Sequence, residues 1–207
     1  MLWIILGVAT SYLVGSIPTA YILGRLIKHK DLRQFGSHNV GATNAFRVLG
    51  KGIGMAVLFI DITKGIIPVV LISDYIILKN NALSGEVLRI ILGVAGTCGH
   101  NWTVFLDFKG GKGVAVTFGV LIGLVIKYSS LRIVFACVLG VWIISFFISR
   151  MVSLASILGS LTFPVSMILF KEQRAFLIMS IVLSAFIIYR HKPNIQRILA
   201  GKEPRLL

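Results

Sequence analysis

LRIVFACVLGVWIISFFIS, Leu131 to Ser149, holds a single charged residue, Arg132, near its start. About 20 predominantly apolar residues are enough to cross the hydrocarbon core of a bilayer as a helix. Lipid admits only helices or closed barrels, because backbone polar groups find no water there. A barrel strand would alternate every second residue, and this stretch is apolar on all sides. It reads as a transmembrane helix, and the rest of the chain repeats the pattern. Of 207 residues, 57% are hydrophobic and 14% charged, with a mean hydropathy of +0.93. The expected helices are 2–24, 53–78, 87–106, 113–127, 131–149, 153–170 and 174–190. The predicted fold is all-α, a polytopic integral membrane protein of seven transmembrane helices forming one domain, 1–207.

Charge sets the expected orientation. The chain has 21 Lys+Arg against 7 Asp+Glu. With the N-terminus outside, 14 of these cations fall in inner segments, 5 in outer ones and 2, Lys64 and Arg89, within helices. Cytoplasmic loops collect Lys and Arg, so the N-terminus is expected outside and the C-terminus in the cytoplasm. In a bacterium this is a multi-pass protein of the plasma (inner) membrane. A net charge of +14 then reflects loop bias and contact with anionic membrane lipids, and no nucleic-acid partner is expected. No cleavable secretory signal is expected either, since the first cation is Arg25. Cys98 and Cys137 lie in apolar runs without metal-ligand spacing and read as reduced thiols.

This topology gathers the unusual chemistry on one membrane face. The first such segment is GSHNVGATNAFRVLGKG, Gly36 to Gly52. It is longer than a helix connection needs. Ser37, Asn39, Thr43 and Asn44 supply polar groups, and Arg47 supplies a planar fork for phosphate oxygens. Part of it, GATNAFRVLG, can form a short helix whose first amides face an anion. The second is GHNWTVFLDFKGGKGVAVTFG, Gly99 to Gly119. Gly110, Gly111 and Gly113 leave room for backbone N–H groups to face a phosphate. Lys109 and Lys112 add charge, and a helix dipole starts at about Gly113. It is not a Walker loop: Leu106 holds the first glycine position and Gly113 follows Lys112. The third is YRHKPNIQRILAGKEPRLL, Tyr189 onward, in which His191 and Asn194 share a face if the segment is helical. Each also has a plainer reading, as a solvated loop, a headgroup anchor or a positive-inside anchor.

Two smaller features stay open at this level. Asp61 and Lys64 sit three apart within a membrane helix, where a lone charge costs roughly 2.5–3.5 kcal/mol. They are either a buried pair holding helices together or part of a site. Asp107 is a candidate to orient Lys109 or Arg47. Ser153 follows Arg150 at a helix start and suits an N-cap. No metal site is expected, and no G-x-S-x-G is present. The H-x-x-x-x-D pair of common membrane acyltransferases is absent, because six residues separate His100 from Asp107.

GSHNVGATNAFRVLGKG, LFIDITKG, GHNWTVFLDFKGGKGVAVTFG and HKPNIQRILAGKEPR together resemble the bacterial acyl-phosphate:glycerol-3-phosphate acyltransferases, in matching order over nearly the whole chain. The resemblance implies transfer of an acyl group from acyl phosphate to the 1-hydroxyl of glycerol 3-phosphate, giving lysophosphatidic acid, with no cofactor. Carried over by motif, Ser37, Arg47, Lys112, His191 and Asn194 are the expected glycerol-3-phosphate contacts. Ser153 and Gly110 to Gly113 are the expected acyl-phosphate contacts. Lys112 bridges both phosphates, while Asn39, Thr43, Asn44 and Lys109 shape the pocket. Lys112, Arg47 and His191 act in catalysis by charge and positioning, with no dedicated base; the donor's own phosphate takes the proton. The resemblance is also compatible with coupling to an enzyme that produces acyl phosphate. The competing class is a transporter of a small phosphate ester, which often shows inverted repeats; none is found here.

Overall fold

The computed structural model describes residues 1–79 and 83–206; Leu207, the last residue of the expected basic tail, lies outside them. The described residues are helical, with no strands. The helices are α1 Leu2–Ser16, α2 Thr19–Lys28, α3 Ala42–Leu49, α4 Lys51–Ile67, α5 Ser73–Lys79, α6 Gly85–Asn101, α7 Val114–Lys127, α8 Arg132–Ser149, α9 Val152–Leu169, α10 Arg174–Arg190 and α11 Lys192–Leu199. By their internal contacts they fall into two units, residues 1–124 and 125–207.

Four stretches are long and apolar enough to span a membrane: Leu2–Lys28, Lys51–Lys79, Ser129–Ser149 and Val152–Leu169. A fifth is the pair α10 and α11, bent by 61°. The apolar helix α7 has only 14 residues, and α6 has 17 with a polar C-terminal end. Length and composition thus support four to five of the seven expected spans.

In the first unit α1 packs along α6, and α4 continues through a π-helical turn, Pro68–Ile72, into α5. The expected single helix 2–24 is broken at Ile17–Pro18. The last carbonyls of a helix have no partner within it, and here side chains reach them. Lys64 Nζ donates to Ile17 O (2.6 Å) and Thr103 Oγ1 donates to Ser16 O (2.5 Å). Lys64 also bonds Thr19 Oγ1 and pairs with Asp61 Oδ1 at 2.7 Å. Both members of the pair are buried. The π turn shifts the hydrogen-bond ladder in the same way. Arg89 of α6 reaches across to Val69 O (2.7 Å), Ser73 Oγ (2.6 Å) and Asp74 Oδ1 (2.6 Å).

In the second unit α9 packs between α8 and α10. Pro164 lies inside α9 and cannot bond the carbonyl four residues back, that of Ser160. Ser184 of α10 supplies the missing donor at 2.6 Å. In both units, polar side chains from neighbouring segments satisfy carbonyls left open near a helix break or a proline.

The Asp61–Lys64 pair gives a measurable consequence. Lys64→Met should strip Asp61 of its counter-ion and the α1 end of its donor, destabilising the protein by about 3–5 kcal/mol. Thermal unfolding in detergent reads this directly. The double replacement Asp61→Leu with Lys64→Met should recover part of the loss, because no unpaired charge then remains.

Candidate functional site

The loop after α2 is organised around one buried side chain. Asn44, on the first turn of α3, directs Nδ2 at the carbonyls of Leu32 (3.2 Å), Phe35 (3.0 Å) and Asn39 (2.9 Å). Its Oδ1 accepts from Ser37 N at 2.9 Å. A Cβ on Gly36, whose φ is +63°, would stand 2.2 Å from that Oδ1, so the turn excludes any larger residue. Asn44 is therefore spent inside the loop, and its bonds set where Ser37 stands. Ser37 and Arg47 are exposed, and Asn39 and Thr43 are half-buried. At the start of the loop, Asp31 pairs with Arg33 (2.8 Å) and Arg25 (3.1 Å). The hydrogen bond from Arg33 outweighs burial and holds the Asp31 carboxyl down at about 2.

The glycine–lysine loop is built differently from the sequence expectation. α6 ends at His100–Asn101, and the chain turns back over that end. Gly110 N donates to Asn101 O (3.2 Å) and Gly111 N to His100 O (2.9 Å). A Cβ on Gly110 would lie 2.0 Å from His100 O, and one on Gly111 would lie 2.1 Å from His100 Nε2. These two glycines permit close contact with α6, and their N–H groups point inward. Gly113, at φ +76°, makes the last turn into α7, and its carbonyl accepts from Thr117 N at 2.8 Å. What faces outward is the charge: Lys109 is exposed and Lys112 half-buried, beside the first turn of α7, where unpaired amides remain. Asp107 lies among residues with left-handed backbone (φ +51°). Its charge adds, after that of Asp31, to the raised pKa of Arg33.

In the second unit the tail supplies a residue that the sequence expectation does not include. Glu203 is buried, and its Oε1 accepts from Ser153 Oγ (2.7 Å) and Asn194 Nδ2 (2.7 Å). Its Oε2 pairs with Arg197 Nε at 2.7 Å. Burial alone would raise this carboxyl, yet the bonds from Ser153, Asn194 and Arg197 and the Arg197 charge hold it below its usual value. Ser153 is not an N-cap: α9 starts at Val152 without a side-chain cap, and the hydroxyl is turned to Glu203. The sequence signal is a lone acid in a tail of Lys192, Arg197, Lys202 and Arg205. His191 Nδ1 lies 2.8 Å from Ile187 O. A carbonyl only accepts, so Nδ1 carries a proton. Pro193 falls in the first turn of α11, where its missing N–H costs nothing. His191 is thus the N-cap position, with Asn194 one turn into the helix.

Each unit therefore assembles its own share of the expected residues. Ser37, Asn39, Thr43, Asn44, Arg47, Lys109 and Gly110 to Gly113 belong to the first; Ser153, His191 and Asn194 belong to the second. The described residues contain no group of three potential metal ligands.

The profile of the family described as glycerol-3-phosphate acyltransferase matches residues 5–201. A glycerol-3-phosphate acyltransferase of Chlorobium phaeobacteroides is 37% identical over 235 aligned positions, covering 100% of this chain and 97% of the relative. One of Thermoanaerobacter pseudethanolicus is 40% identical, covering 99% and 96%. Among solved structures, PlsY, an integral membrane glycerol 3-phosphate acyltransferase in its glycerol 3-phosphate form, superposes with a TM-score of 0.84 at 38% identity. That match covers 98% of this chain and 94% of PlsY. The same protein in its lysophosphatidic acid form gives a TM-score of 0.80 at 36% identity. With the family profile matched over residues 5–201 and relatives about 37–40% identical over nearly its whole length, the chain belongs to the glycerol-3-phosphate acyltransferase family.

Proposed function

We propose that this protein transfers an acyl group from acyl phosphate to the 1-hydroxyl of sn-glycerol 3-phosphate, releasing phosphate and lysophosphatidic acid for phospholipid synthesis. The observation that carries this reading is Lys112 at the entry to α7, half-buried beside first-turn amides that have no partner within the helix, with Lys109 close by in the same loop. Such a place attracts a phosphate group. The family and the PlsY forms with glycerol 3-phosphate and lysophosphatidic acid support the acceptor and the product.

In this reaction the acceptor oxygen attacks the acyl carbonyl carbon. The carbon–oxygen bond to the donor phosphate breaks, and phosphate leaves with the electron pair. The hydroxyl proton passes to a phosphate oxygen of the donor. Acyl phosphate is a mixed anhydride with a good leaving group, so a dedicated base is not required. Lys112 and Arg47 stabilise the charge that develops. His191, Asn194 and Ser37 position glycerol 3-phosphate, and Ser153 with the Gly110–Gly113 turn positions the donor. Glu203, as the acceptor for Ser153 and Asn194, is a positioning residue.

The wider layout belongs to the same proposal: one acyltransferase domain, seven spans, N-terminus outside, the reaction facing the cytoplasm of a bacterial inner membrane. Fourteen residues at 1.5 Å each reach about 21 Å, short of the roughly 30 Å hydrocarbon core. The shortness of α7 suits a helix that begins below the membrane surface, under its glycine turn. An acyl-phosphate-producing enzyme would then be a natural functional neighbour.

The deciding experiment mixes purified protein with palmitoyl phosphate and labelled glycerol 3-phosphate, without added metal. Labelled lysophosphatidic acid and free phosphate are expected, and none with palmitoyl-CoA. Product from the CoA ester alone would overturn the donor. Uptake of unmodified glycerol 3-phosphate into vesicles, with no lipid product, would point to transport. Lys112→Ala should cut kcat/KM by about a hundredfold or more in a protein that remains folded. His191→Ala should chiefly raise the KM for glycerol 3-phosphate.

Glu203 adds a pH dependence. Its folded pKa is depressed, so the stability it contributes is present above the unfolded value and lost as pH falls through the folded one. Glu203→Gln should therefore lower the thermal midpoint at neutral pH and narrow the gap to wild type in acid. A constant gap across that pH range would separate Glu203 from any such role.

A further inference from the structure

Asn101 closes α6 beneath the glycine turn. It is 0% exposed, and neither Nδ2 nor Oδ1 has a hydrogen-bond partner. Asn44, equally buried, uses both ends of its amide. A buried amide without partners is costly, and leucine would fill the same shape without that cost. The unpaired amide is also at a telling place. A Cβ on Gly113 would lie 2.7 Å from Asn101 Oδ1 and 3.1 Å from Nδ2. The side chain is thus pressed against the bend where the turn enters α7.

The neighbouring geometry indicates what the amide waits for. The trans peptide is planar, so its N–H and C=O point in opposite directions. Swinging the N–H of Lys112 or Gly113 outward to an anion swings the carbonyl of that peptide inward, without touching the bonds of Gly111 N and Gly113 O. An inward carbonyl at this bend meets Asn101, which has a free donor to offer. Gly113 lacks the side chain that would block the rotation, and its positive φ already lies in the region glycine tolerates.

We propose that Asn101 is a positioning residue for the phosphate-bound form of the turn, donating from Nδ2 to the carbonyl turned inward when a phosphate monoester is held at Lys112. The inference rests on the phosphate-binding reading of the turn given above. Asn101 touches no substrate; it stabilises the backbone arrangement that does. Its amide is unpaired without ligand and paired with it, which adds to affinity for the anion.

The test uses full-length protein in detergent and two probes. Inorganic phosphate is titrated while the thermal midpoint is followed, and KM and kcat are measured for glycerol 3-phosphate. Asn101→Leu should unfold no earlier than wild type without phosphate, because the unpaired amide is gone. Its phosphate concentration for half-maximal stabilisation, and its KM, should each rise by about tenfold, the size of one hydrogen bond. The kcat at saturation should change far less. Should leucine fail to pack, Asn101→Ala, compared with itself with and without phosphate, separates the same two outcomes. A phosphate response and KM within about twofold of wild type in the variant that folds would overturn the inference. So would a lower midpoint with kcat and KM otherwise intact, since that is the signature of packing alone. If phosphate stabilises neither wild type nor Lys112→Ala differently from a neutral solute, the phosphate-turn reading fails first and takes this inference with it. A response lost in Lys112→Ala but kept in Asn101→Leu defeats the Asn101 role alone.

Discussion

In a chain this apolar, the break between α1 and α2 is the constraint from which the first unit follows. Ending a helix at Ser16, with proline at position 18, leaves carbonyls where lipid offers no water. Thr103 takes the Ser16 carbonyl and Lys64 takes that of Ile17. Tyr12 Oη donates to Trp102 O at 2.7 Å, beside the same contact. Lys64 comes from α4, Thr103 from the segment just after α6 and Tyr12 from α1 itself. The repair of one helix end thus fixes the base of the glycine–lysine loop. Lys64 in turn needs Asp61, since a bare ammonium there would be expensive. A defect that looks local ties together the elements carrying Lys109 and Lys112.

The few acids are used in the same economical way. Asp31 holds Arg25 and Arg33, Asp61 holds Lys64, Asp74 holds Arg89 and Glu203 holds Arg197. Each of these pairs secures a loop start, a helix break, a π turn or the tail. Among the segments singled out for chemistry, the second unit's Glu203 is the acid in contact with Ser153 and Asn194. Its Oε1 accepts from both, and those bonds, with the bond and charge of Arg197, hold the carboxyl below its usual value.

How much of this is legible in the sequence differs by kind of information. Helix existence follows from apolar runs, because burial in lipid demands composition more than detailed pattern; α8, α9 and α10 match the expected ranges closely. The division of 2–24 at Ile17–Pro18 is not legible, since proline near a helix middle marks a kink or a stop and only the neighbours' donors decide which. The small helices α3 and α11 are visible as conditional readings of GATNAFRVLG and of His191 with Asn194. Glu203 is not visible, because its meaning lies in contacts with Ser153, fifty positions earlier. Asn44 falls in the loop as expected, but its use as an internal tie depends on carbonyls at Leu32 and Phe35 that no spacing announces.

The glycine turn shows how the backbone of a motif can be used differently from its first reading. GGKG invites the thought of backbone amides ringed around a phosphate, yet Gly110 and Gly111 spend theirs on α6. Small residues are needed there because His100 lies directly beneath. In the proposed reaction, anion recognition falls to the lysines and the entrance of α7, groups that supply positive potential and orientation. A site of that composition suits the proposed donor, a mixed anhydride that is already activated and brings its own proton acceptor. That reaction needs no His–Asp pair, and the sequence has none at the H-x-x-x-x-D spacing.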